Sequence, residues 1–165
     1  MKRNHKIALL GISAAIAIVL SYIEAAIPSF IPIPGVKIGL ANITIMFALY
    51  KLGLPYALLV SFVRLTTIFL LFGGIMPLLY SVVGAILSLT VMYVLKRFTP
   101  FSEIGVSVAG AVSHNIAQII VAIFMFSTET LIYYLPILIL SGTVSGIMIG
   151  IVSGILIKKI QIKNK

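Results

Sequence analysis

The sequence predicts an all-α integral membrane protein, a single domain over residues 1–165 built as a bundle of six transmembrane helices. Three observations carry this. Of the 165 residues, 61% are hydrophobic and only 9% charged; apolar runs of about 20 residues, the length that crosses a hydrocarbon core, follow one another along the chain; and the basic residues gather in alternate gaps between those runs. Soluble globular chains carry about a quarter charged residues. Backbone facing lipid has to satisfy its own hydrogen bonds, and the runs lack the ten-residue alternation of a membrane barrel, so the spanning elements are helices.

The first run, 7–27, follows the basic segment MKRNHK. That order also fits a cleavable signal peptide. The run, however, outlasts the usual apolar stretch of about 7 to 15 residues, and no A-x-A cleavage site follows it, so it is read as a retained helix. The second run, 35–53, is the weakest. Only 38–50 is uninterrupted, about 20 Å at 1.5 Å per residue, so it has to borrow Val36 or let Lys51 snorkel to the interface. The third, 55–72, contains Arg64; the fourth, 76–95, ends at Lys96 and Arg97; the fifth, 104–126, carries a polar cluster; the sixth, 131–157, is rich in glycine.

Six spans put both termini on one side. With Met1 inside, Lys2, Arg3, Lys6, Lys51, Lys96, Arg97, Lys158, Lys159, Lys163 and Lys165 face the cytoplasm, Lys37 alone lies outside, and Arg64 sits within a span. This positive-inside bias predicts a multi-pass protein of the cell membrane with cytoplasmic termini. It accounts for the formal charge of +9 without nucleic acid, and the basic flanks meet anionic lipid headgroups.

Composition also removes whole classes of chemistry. There is no cysteine, hence no disulfide, thiolate zinc site or cysteine nucleophile. The acids are Glu24, Glu103 and Glu129 with no aspartate, which excludes aspartate-rich magnesium sites. No G-x-x-x-x-G-K-[ST] phosphate loop is present, so the chain carries no ATPase motor. With a single internal histidine, His114, besides His5, a metal site is not expected. No catalytic residue stands out and no cofactor is called for.

Polar residues at membrane depth each need a reason. Arg64 costs several kcal/mol there unless it faces the interior. Ser61 and Thr67, three residues to either side, are placed on its face of the helix. Two readings are open: a structural arginine satisfied by backbone carbonyls, or an anion-binding group. In the fifth run Ser107, His114, Gln118 and Met125 fall near one line, with Asn115 beside them, while Val112, Ile116, Ile119, Ile120 and Ile123 form an opposite, lipid-facing side. Residues 24–37 hold three prolines and a glycine in an apolar setting and are expected to fold back as a lid or a seal, with Lys37 and, just below it, Asn42 at the pocket's outer end. The candidate substrate-binding set is therefore Lys37, Asn42, Arg64, His114, Asn115 and Gln118.

Gly142, Gly146, Gly150 and Gly154 recur every fourth residue, with a weaker version in the first run: Gly11 with Ala15, or Ser13, Ala17 and Ser21. Such stripes let helix backbones approach closely. Packing within the chain is the first reading and partner docking, through Gly11, Ala15, Gly142, Gly146 and Gly150, the second.

The stretches Pro-Gly-Val-Lys-Ile-Gly-Leu-Ala-Asn-Ile (34–43) and His-Asn-Ile-Ala-Gln (114–118) resemble the Gx transporter family. Its members are often catalogued as heptaprenyl diphosphate synthase component I and are grouped with the S components of energy-coupling-factor (ECF) vitamin transporters. The resemblance covers nearly the whole chain. It implies a six-helix subunit that captures a small molecule from outside, with the loop after the first helix as lid. The subunit then works with a transmembrane coupling subunit and two cytoplasmic ATPases. In that superfamily an alanine-x-x-x-alanine surface on the first helix docks the coupling subunit; Gly11 with Ala15 is the nearest match and departs from it. The implied ligand is an anionic or amphipathic vitamin, cofactor, or isoprenoid or quinone precursor. The alternative is a non-catalytic accessory subunit in isoprenoid or quinone metabolism or in a membrane redox complex. Prenyl elongation needs aspartates to hold magnesium on diphosphate, and this chain has none.

Overall fold

The computed structural model describes residues 3–26 and 39–160. These form six α-helices, α1 (Arg3–Ala26), α2 (Asn42–Lys51), α3 (Leu54–Phe72), α4 (Ile75–Phe98), α5 (Glu103–Phe126) and α6 (Leu135–Lys159), with one 3-10 turn at Glu129–Tyr134 before α6. The helix boundaries have local causes. Pro55 and Pro136 sit in the first turns of α3 and α6, where a missing N–H costs nothing. Gly73 and Gly74, at φ 66° and 88°, supply the left-handed turn between α3 and α4 that a side chain would oppose. Ser102 caps α5 by accepting from the Gly105 N–H at 3.3 Å.

Among the described residues five helical stretches are long and apolar enough to cross a membrane: Asn4–Ala26, Leu54–Phe72, Ile75–Phe98, Glu103–Phe126 and Glu129–Lys159. The expected second span, 35–53, is described only in part. Among the described residues α2 has only 10 residues, about 15 Å or half of a typical core, and 35–38 lie outside those residues. Unlike a lipid-facing span, α2 buries Thr44 through Leu49 without interruption. It is a core element.

Side-chain contacts fix the helix directions. Tyr22 meets Phe72 at a 5.7 Å ring separation, so α1 and α3 run parallel. Lys96 Nζ donates to the Leu49 carbonyl at 2.8 Å, and Ser153 Oγ to the Ile43 carbonyl at 3.4 Å. Gly84 faces His114 and Gly110 faces Met92, which sets α5 antiparallel to α4. The helices therefore alternate up and down. Lys6, Lys51, Lys96, Arg97, Lys158 and Lys159 gather at one end of the bundle, as the charge pattern predicts.

Lipid is as apolar as leucine, so packing rather than hydrophobic burial has to join the helices. Gly142, Gly146 and Gly150 do this for α5 and α6. A Cβ on Gly146 would come within 2.7 Å of the Val108 Cα, and one on Gly150 within 2.7 Å of the Ile104 Cα. All three glycines are buried, so the face offered above as a docking surface is occupied by α5 of the same chain. On α1 the inward stripe is Ser13, Ala17 and Ser21, whereas Gly11 and Ala15 are exposed and open. On α5, Ile119 departs from the lipid-facing side expected for it and is buried.

Candidate functional site

Four of the predicted polar residues, Asn42, Arg64, His114 and Asn115, line one cavity. Asn42 opens α2, Arg64 lies ten residues into α3, and His114 and Asn115 lie mid-way along α5. The cavity measures about 90 Å³, room for about three waters, and Ser21, Ser81 and Ser145 add hydroxyls from α1, α4 and α6. One residue the sequence reading left out of the site completes it. Glu24, at the end of α1, lines the same cavity, accepts a hydrogen bond from the Gly39 N–H, and is the acid whose charge acts on Arg64. The signal was present in the sequence, since an acid at the end of an apolar helix has to find a partner at membrane depth.

Arg64 is half-buried overall, but its Nε is fully enclosed and has no hydrogen-bond partner among the described residues. That singles it out, because a guanidinium offers five donors and an enclosed donor without an acceptor is costly. The stripe expected around it does not form. Ser61 faces an apolar groove between α3 and α4, and the Thr67 hydroxyl donates to the Val63 carbonyl of its own helix at 2.8 Å.

His114 is placed by an absence of side chain. A Cβ at Gly84 would lie 2.7 to 3.0 Å from three atoms of its ring, so the imidazole rests against the bare backbone of α4. Gly84→Ala is expected to push the ring away and to cost about 1–3 kcal/mol. Thermal unfolding of the detergent-solubilised protein checks this against Gly154→Ala, where the nearest neighbour lies at an ordinary 3.7 Å. Asn115 Nδ2 donates to the Leu138 carbonyl at 2.7 Å, which commits that nitrogen to joining α5 and α6. Gln118 is buried with its Oε1 unpartnered among the described residues, one turn beyond His114, and is not among the cavity-lining residues. Lys37 and residues 27–37 of the expected lid lie outside the described residues, while 24–26 continue α1 as helix. Among those described, no group of three or more metal-ligating side chains occurs.

The sequence profile of the family described as heptaprenyl diphosphate synthase component I matches residues 13–156, nearly the whole chain. The chain belongs to this family. For this family member, no curated protein and no solved structure gives a match. The matched region contains every described cavity-lining residue, and the apolar helices fit a component that resides in the membrane.

Proposed function

We propose that this member of the family is a substrate-capture subunit of a small-molecule uptake transporter, similar in role to an ECF S component. It binds an anionic or amphipathic molecule in the polar cavity among α1, α3 and α5. The observation that carries the reading is the enclosed Arg64 Nε, without a hydrogen-bond partner among the described residues, in a cavity ringed by hydroxyl, amide and imidazole groups. A purely structural arginine is expected to have its donors met by carbonyls. In this reading the basic end faces the cytoplasm, and the exposed Gly11 and Ala15 of α1 are open to a transmembrane coupling subunit that two ATPases drive.

A second reading follows the family's own description: an accessory membrane component of prenyl diphosphate synthesis. Lacking aspartate, the chain would serve such an enzyme without holding its magnesium. Purification of the tagged chain from its native membrane in mild detergent, with mass spectrometry of whatever accompanies it, separates the two. A coupling subunit with two ATPases is the expected result; recovery of a prenyl synthase instead overturns the transporter reading.

A further inference from the structure

The ionisable side chains among the described lining of the cavity are Glu24, Arg64 and His114. The Glu24 carboxylate and the Arg64 guanidinium bring opposite unit charges to it. This bears on what the cavity accepts, because a net charge in a medium of low dielectric is penalised far more than a balanced pair. A monoanion brought to Arg64 would leave two negative groups around one positive one. A monocation brought to Glu24 would create the mirror imbalance. The two charges come from different helices, α1 and α3, and face one volume, so a ligand carrying a negative group toward Arg64 and a positive group toward Glu24 meets both at once. Glu24 already receives the Gly39 N–H, yet a carboxylate has about four acceptor sites, so that contact orients the group without exhausting it. Asn42 and the serines suit the neutral polar atoms of such a ligand.

We infer that the cavity selects a small ligand of zero net charge that carries one anionic and one cationic group, the anion held by Arg64 and the cation by Glu24. This rests on the cavity being a ligand site, as proposed above, and departs from the anionic class named there by adding a cationic group to the anionic one.

The test uses the full chain in mild detergent and three simple probes: glycine, acetate and methylammonium, the last two being the halves of the first. Each is titrated at constant ionic strength, and affinity is read from the shift in thermal unfolding. In the wild type, glycine is expected to bind at least about tenfold more tightly than either half, the effect of one added charge-assisted contact. Glu24→Gln is expected to reverse this in favour of acetate, and Arg64→Gln in favour of methylammonium. Helicity and gel-filtration profiles verify that the variants fold. If Arg64→Gln does not, Arg64→Lys should keep the wild-type order, and Glu24→Gln alone carries the reversal. Acetate as the best wild-type probe, or one order of preference in all variants, overturns the inference while leaving a ligand site in place. No response to any probe in any variant overturns both the inference and the cavity as a binding site.

Discussion

A Gly146→Leu chain is expected to lose most of its folded, monodisperse population when extracted from membranes. The Val108 Cα lies 2.7 Å from where even a single Cβ would stand, and the Val108 N and Ser107 O lie at 3.1 and 3.2 Å. Backbone cannot rotate aside as a side-chain tip can. Overpacking of this kind costs about 1–3 kcal/mol and more when backbone has to move, against a typical total stability of about 5–15 kcal/mol. Gly11→Leu is the control, since nothing lies within 4 Å of a Cβ there and the residue is exposed. Gel filtration of the two variants in mild detergent gives the comparison. A Gly146→Leu chain that folds normally and only sheds a partner would count against the α5–α6 packing and restore the docking reading of that face.

Much of this was legible beforehand, and the reasons differ by element. The long helices announce themselves because composition over about 20 residues is enough to identify a span, and alternate basic turns give their directions. The second span is the least legible because hydropathy measures apolar character, not what covers it. Thr44 through Leu49 are as apolar as a lipid-facing run and are instead enclosed by neighbouring helices. The glycine spacing revealed close packing but not with whom, since a four-residue period looks the same against α5 as against a foreign helix. At the site, Arg64, His114, Asn115 and Asn42 were found as polar residues in apolar surroundings. Glu24 was missed because it sits where the helix gives way to a proline-rich segment and reads as a boundary residue. Gln118 was included through helical periodicity, but a turn of helix beyond His114 takes it past the cavity.

The second large effect concerns the Glu24 and Arg64 charges. Arg64→Gln alone leaves the Glu24 carboxylate in the cavity with the facing countercharge gone, and removing one of two opposite charges that share a water-poor volume is more damaging than removing both. Arg64→Gln is therefore expected to melt well below the wild type. The double variant Glu24→Gln with Arg64→Gln should recover part of the loss. A double-mutant cycle on unfolding free energies should give a coupling on the order of 1–3 kcal/mol. Additive single effects, with no recovery in the double variant, would mean that the two charges do not sense each other across the cavity.

The depth of the cavity has an electrical consequence. Arg64 lies ten residues into α3 and His114 eleven into α5, about 15 Å along each helix and near the middle of a core about 30 Å thick. A unit charge carried to that level traverses about half the transmembrane voltage, an energy of about 1 kcal/mol at 100 mV. An occupant whose own charges cancel feels only the small part that falls between its two groups. Its occupancy of the cavity would be nearly the same in an energised cell and a depolarised one, and any voltage sensitivity of uptake would have to originate in the steps that follow capture.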